Sequence, residues 1–486
     1  MDTRRAEVDD LALAVATAAR RPGKGTTLES LLDTGDPRRW VALDLGVRRL
    51  PWYWSTALPS MAWLRTGEPP TGEPVLAIAL CHPDGRIRQA ALERAAGVPA
   101  LLPLVAVRCS DWAGPVRDLA RALLRAGLAG AAPRTVALVT AVALRTAARR
   151  HGAHAHDLLM EILEHADAEV TDTLLDSRDP ATRRLGYRIA VRRNRFSPAR
   201  LARIAATDAD VVVQDVCADA VLAHTKDGLH GELLEPLLRA RASRVRSSGV
   251  TALHRTGRSA EATEFLTDRA GIVRACARWV LRQRGTDPLP LYRELCAGPS
   301  ADVPPGAAAG LGECGTREDA ALLHPLVAHP VARVRTQAVA ALRALGTVDA
   351  ERLRPLLDDP SAAVTREVAT ALVSSGGRLP EPWLWERLAS GRPRHVRAAA
   401  FRLLAAQDGI FQLRCCLTLL DDADHRIREQ ARAAVLRWTP AYASTAYTAL
   451  PADERARLDA LVDRAVPVLG EHNVRLLRLY LGAGRP

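Results

Sequence analysis

A short motif, an aliphatic residue followed by arginine, returns along this chain at nearly constant intervals. It stands at Ile87-Arg88, Val116-Arg117, Val245-Arg246, Val273-Arg274, Val334-Arg335, Val396-Arg397 and Ile427-Arg428. Altered copies lie at Thr182-Arg183, Val213-Gln214, Val303-Pro304 and Val364-Thr365. From 183 to 428 the second residue advances by 31, 32, 28, 30, 31, 30, 32 and 31 residues. A period of that size fits two short helices and a turn, and it makes each unit depend on its neighbours for a core.

The spacing inside each copy is helical. Counted from the first residue of the pair, offset +4 is small in Ala91, Ala120, Gly186, Cys217, Gly249, Ala277, Ala307, Ala338, Ala400 and Ala431. Offset +8 is Leu or Val in Leu124, Val221, Leu253, Leu281, Leu311, Leu342, Leu372, Leu404 and Val435. Offsets 0, +4 and +8 share one helix face, and a small residue in the middle lets a second helix come close. Offset +12 is glycine at Gly257, Gly285, Gly315, Gly346 and Gly376, where a left-handed residue would end the helix.

The other half of the period is apolar and helical, as in Glu232–Arg239, Glu351–Leu357 and Leu413–Leu420. Turns such as Asp358-Asp359-Pro360-Ser361 and Asp421-Asp422-Ala423-Asp424 follow it. Asp and Ser there accept bonds from the first amides of the next helix. The unit is helix, turn, helix.

These motifs resemble the HEAT-repeat family, in particular its short bacterial PBS-lyase HEAT-like type. The likeness is carried by Asp359-Pro360 through Ala371-Leu372 and by His329-Pro330 through Leu342, and it extends over roughly residues 75–440. It implies an all-α fold, an α-solenoid forming a right-handed superhelix of about 11–13 helical hairpins. It also implies that the recurring arginines, Arg88, Arg117, Arg246, Arg274, Arg335, Arg397 and Arg428, are structural, making contacts within and between units. Residues 1–75 are expected to form an N-terminal cap with one degenerate repeat at Asp36-Pro37, residues 76–440 the solenoid, and residues 441–486 capping helices. Between Arg117 and Arg183 there is room for two units, and the second helix of the middle one has no clear position over 135–165.

Composition agrees with a folded helical protein: 48% hydrophobic residues but only 4% aromatic, so the core is mainly Ala, Leu and Val. The net charge of +12 would suit nucleic acid. Nearly all of the basic side chains are arginine, with lysine only at Lys24 and Lys226, and Ala, Arg, Gly and Pro are all abundant, as in a GC-rich genome. Eight scattered cysteines without a C-x-x-C pair read as buried thiols in a reducing compartment. The longest apolar run, near Val136–Leu144, is about half of a membrane span, and the N-terminus lacks the apolar region of a signal peptide. The expected location is the cytoplasm.

No catalytic, cofactor or metal residue is assigned. His151, His154 and His156, with Asp157, Glu161 and His165 nearby, have the ligand types of a metal site but not its spacing, and read as a solvated loop and helix start. Deoxyhypusine hydroxylases, which are HEAT solenoids, draw iron ligands from His-Glu dipeptides, and this chain contains none. Candidate partner anchors are Trp52, Tyr53 and Trp54, which could equally seal the first repeat, together with Trp383 and Trp385. The function expected is a non-enzymatic scaffold that binds a protein partner on its concave surface. The alternative is a nucleic-acid-binding solenoid, possibly similar to the HEAT-like alkylpurine DNA glycosylases, with Asp111-Trp112 near a damaged base. A continuous arginine stripe would favour the alternative, and alternation with Asp and Glu the scaffold.

Overall fold

A computed structural model describes residues 2–20, 26–50, 72–224, 231–299, 302–374, 379–406, 409–439 and 441–482. Among these residues every regular element is a helix, and no helix is long and apolar enough to cross a membrane. Contacts divide the chain into two compact units, residues 1–245 and 246–486.

Local chemistry starts the helices where the turns are. Asp36, Asp179 and Asp287 accept from backbone amides of Pro37–Val47, Pro180–Arg192 and Pro288–Ala297, each with proline in the first turn, where its missing N–H costs no bond. Proline also shortens first helices. Arg354–Asp358 and Pro325–Ala328 run as 3₁₀ segments with Pro355 and Pro325 at their starts, because a proline cannot donate to the preceding turn.

In residues 1–245, Trp40, Leu43 and Val47 join Ile78, Leu80, Leu104, Val142 and Leu158 in one core. Trp40 is 1% exposed and donates its indole N–H to the Thr34 carbonyl at 2.9 Å. A second cluster runs from Phe196 and Leu201 to Val245 through Val213, Cys217 and Leu237. The middle unit has its first helix at Pro133–Thr146 and its second at Ala153–His165. Ala155, Leu159 and Leu163 take offsets 0, +4 and +8 and are buried. The repeat is present there, but without the arginine and with leucine in the small position.

In residues 246–486 second helices stack on one another: Pro305–Cys314 on Ala332–Ala344, then Ala362–Ser374, then Arg394–Ala405. Offset +4 is fully buried at Ala277, Ala307, Ala338, Ala400 and Ala431. At offset +12, Gly257, Gly285 and Gly346 have φ of 73°, 82° and 66°. Asn194, at the same offset in the copy beginning at Thr182, has φ 51°. Gly315 differs. Its φ is −81°, and it is needed for space instead, since a Cβ would lie 2.5 Å from the Leu311 carbonyl oxygen. Gly376 lies outside the described residues.

A repeated ion pair ties five of the second helices to the following turn. Arg335 donates through Nε and Nη2 to both oxygens of Asp359 at 2.8 Å, and through Nη1 to the carbonyls of His329 and Pro330. The same forward reach joins Arg88 to Asp111, Arg183 to Asp208, Arg246 to Asp268 and Arg397 to Asp422. Each of these aspartates also accepts from the amide two residues on, at Ala113, Asp210, Ala270, Ser361 and Asp424. The aspartate backbone carbonyl then accepts from the side chain six residues on: Arg117, Gln214, Arg274, Thr365 and Arg428. One aspartate therefore fixes a turn, starts a helix and receives the unit before it.

Where the turn has no aspartate at that position, the pair changes. Arg117 precedes the turn 147–152, which contains no acid, and its Nη1 contacts are the carbonyls of Asp111 and Trp112. Arg274 bonds Glu313 of the next second helix. At Pro304, which has no donor, Arg293 of a first helix takes Asp319 instead, at 2.7 and 3.3 Å.

Tyr292, fully buried, donates to the Leu266 carbonyl at 2.8 Å and leaves room only for glycine at 310. A Cβ at Gly310 would stand 2.0 Å from the Tyr292 ring. Gly310→Ala should therefore cost about 1–3 kcal/mol by overpacking and lower the calorimetric unfolding midpoint. Tyr292→Leu in the same chain should recover part of that loss; strict additivity would contradict the contact.

Candidate protein-binding groove

Stacking turns one face of the second helices outward at offsets +2 and +6. In residues 246–486 the +2 row reads Ala275, Pro305, Thr336, Arg366, Ala398, Glu429, and the +6 row Trp279, Ala309, Ala340, Thr370, Arg402, Ala433. Within residues 1–245 the +2 row reads Gln89, Asp118, Arg184, Asp215, and the +6 row Glu93, Ala122, Arg188, Asp219. Neither unit carries a continuous basic stripe. Both signs occur, and in the second unit most positions are small.

That smallness opens a groove of about 1190 Å³ across Ala362–Ser374, Arg394–Ala405 and His425–Leu436. Its floor is largely alanine, including Ala369, Ala399, Ala405 and Ala434, with the buried faces of Phe401 and Trp438. Three of its polar groups are committed within the chain. Trp438 Nε1 donates to the Gly409 carbonyl at 3.0 Å, Gln412 Nε2 donates to that of Ala405 at 2.7 Å, and His395 Nε2 meets that of Asp359 at 3.0 Å. Arg366, Arg402 and Arg437 are exposed on the walls, and among the described residues they make no ion pair.

The aromatic residues singled out in the sequence lie elsewhere. Trp383 and Trp385 sit half-buried on the first helix Glu381–Leu388 and do not line the groove. The guanidiniums of Arg387 and Arg354 lie 3.8 and 5.5 Å from the Trp383 ring, and Trp385 Nε1 donates to Glu381 at 3.0 Å. Trp52, Tyr53 and Trp54 fall outside the described residues. The repeat arginines Arg88, Arg246, Arg335 and Arg397 stand in the forward ion pairs, Arg274 pairs with Glu313, and Arg117 and Arg428 bind carbonyls of their own turns. The groove arginines were missed because they lie off the repeat pair, at +2, +6 and +10. Aligning the copies by offset would have exposed them.

Asp111 and Trp112 separate in role. Trp112 is 70% exposed, whereas the Asp111 carboxylate is buried between Arg88 and Arg108. Arg108 also bonds Asp44, which receives Arg48 and Arg149 at 3.1 and 3.3 Å. Burial alone would raise both acids, but hydrogen bonds and charge from these arginines outweigh it and hold Asp44 and Asp111 below the ordinary 3.8. Such an acid is a poor proton acceptor in any reaction. His151 and His154 likewise sit among arginines: partial burial and the field of Arg117, Arg150, Arg121 and Arg125 hold them below the ordinary histidine value, against the opposing pull of Asp157 and Asp118 on His154. All eight cysteines are free thiols. Burial pushes Cys81, Cys109 and Cys415 up to about 12 and Cys416 up to about 11, which keeps them protonated.

Residues 288–373 match the family described as HEAT repeats. No curated protein matches the sequence. Among solved structures, Escherichia coli YibA is similar at 17% identity over 50% of this chain and 95% of its own, with a TM-score of 0.25. Kap121p bound to Nup53p is similar at 15% identity over 84% of this chain and 52% of its own, TM-score 0.36. The karyopherin Kap121p bound to the SUMO protease Ulp1p gives 14% identity, 84% and 52%, and 0.36. The chain spans about half the length of Kap121p. It is an all-α helical-repeat protein, with HEAT repeats over 288–373.

The lowered aspartates make stability depend on acid in a definite direction. A folded pKa below 3.8 contributes stability that is complete above the unfolded value and is lost as pH falls through the folded one. The thermal midpoint should hold from about pH 7 to about pH 5 and fall below about pH 4. A midpoint already falling at pH 6 would contradict the pairing of Asp44, Asp111 and Asp268 with arginine.

Proposed function

We propose that this chain is a non-enzymatic scaffold of the PBS-lyase HEAT-like type, cytoplasmic, that binds a protein partner along the concave surface made by its second helices. The observation that carries this reading is the alanine-floored groove over Ala362–Thr439. Its area is built by the repeat itself, and its small side chains let another polypeptide come close to the helix backbones. The seven repeat arginines have the structural role, and the groove supplies the binding.

The nucleic-acid reading finds less support. Phosphate binding needs arginines directed outward in a row, whereas here the outward rows alternate in sign or carry alanine. Many of the remaining guanidiniums are held by Asp and Glu within the fold. A glycosylase-like role for Asp111 conflicts with its closed carboxylate.

Site-specific photo-crosslinking tests the assignment. A benzophenone side chain at Ala398 or Ala433 should yield protein adducts in cells, and one at Glu386, exposed on a first helix, should yield few. Adducts to nucleic acid, or equal yields at both faces, would contradict it.

A further inference from the structure

We propose that the groove receives an acidic peptide in extended conformation, with a carboxylate at every third residue. This rests on the protein-binding reading and specifies the partner's chemistry.

The groove's polar inventory selects charge. The indole of Trp438, the amide of Gln412 and the ring of His395 already bond backbone carbonyls, so the floor offers a ligand little beyond apolar contact. On the walls stand Arg366, Arg402 and Arg437, with no carboxylate within ion-pair distance among the described residues. The one acid lining the groove, Glu429, has Arg432 at 3.8 Å. In a chain where the arginine of most turns is matched to an aspartate or glutamate, three unmatched guanidiniums around one groove call for acids from outside. Pairing there would be charge-assisted and bidentate.

Size and spacing select the kind of acid. The volume exceeds the roughly 300–1,000 Å³ of small-molecule sites. The three arginines occupy offsets +2, +6 and +10 on consecutive second helices. Four residues along a helix are about 6 Å and neighbouring helices stand about 8–10 Å apart, so the arginines step diagonally by about 10–12 Å. Three extended residues cover about 10 Å. A segment of the form acid-x-x-acid-x-x-acid therefore meets all three, and its intervening small or apolar side chains lie over the alanines. Nucleic acid fits less well, because single strands bind by stacking on exposed aromatic faces, whereas Phe401 and Trp438 are 6% and 5% exposed.

Fluorescence anisotropy with the full chain tests this. The probe is a labelled peptide of about twelve residues with Glu at every third position and Ala or Leu between. Controls are the same peptide with Lys for Glu, the same composition with its Glu residues contiguous, and a single-stranded oligonucleotide of equal length. The Glu-spaced peptide should bind at least about tenfold more tightly than each control. The variant R366E/R402E should reduce its affinity by at least about tenfold while leaving the unfolding midpoint unchanged, since both side chains are exposed. Equal binding of the Lys peptide, a preference for the oligonucleotide, no effect of R366E/R402E, or no binding of the Glu peptide at about 100 µM would each overturn the proposal. If that peptide fails while Ala398 still crosslinks protein, the acidic assignment falls and the scaffold reading stands. If both fail, the groove is not the binding surface.

Discussion

The bidentate pairing of a second-helix arginine with the aspartate of the next turn is the contact on which the repeat architecture depends. Both partners are largely withdrawn from water: Arg88 is fully buried and Asp111 4% exposed, and the side chains of Arg397 and Asp422 are 8% and 11% exposed. Burying such charges is costly unless every partner is in place, and here the aspartate meets a guanidinium, a backbone amide and, through its own carbonyl, the side chain six residues on. The pairing therefore sets register as well as supplying attraction. A unit displaced by one residue would strand both charges.

This contact changes what the net charge of +12 means. Arginine supplies the flat, five-donor fork that can hold a carboxylate and two carbonyls at once, as Arg335 does, and lysine cannot. The near-absence of lysine is then compatible with a structural use of basic residues, and the charge excess alone says little about nucleic acid. What matters is which guanidiniums remain unmatched and where. In the second unit three of them gather around one groove, and this gives that groove a chemical preference that its alanines alone would lack.

Much of the fold was legible because helical periodicity and burial are local consequences of residue type. Offsets 0, +4 and +8 are buried as their apolarity and small size required, and Gly257, Gly285 and Gly346 adopt the left-handed conformation that a helix end favours. The middle unit was hidden because its second helix keeps the apolar face at Ala155, Leu159 and Leu163 but drops both identifying residues. Gly315 departs from the left-handed expectation because glycine answers two needs, positive φ and lack of a side chain, which residue type alone does not separate. The groove was harder to see. Its floor residues are alanines that read as core, and the exposure of Arg366, Arg402 and Arg437 depends on neighbouring helices whose register the sequence does not state. Trp383 stood out by size and hydrophobicity, yet its ring is covered by Arg387 of its own helix and Arg354 of the preceding repeat.

A double-mutant cycle on Arg335 and Asp359, read by denaturant unfolding of the full chain, tests the central claim most directly. If the pair couples successive units, each single alanine variant strands a buried charge, and the double variant is less destabilised than the sum by about 1.5–3 kcal/mol. Additivity within about 0.5 kcal/mol would contradict the account, because the two side chains would then be neighbours without being partners.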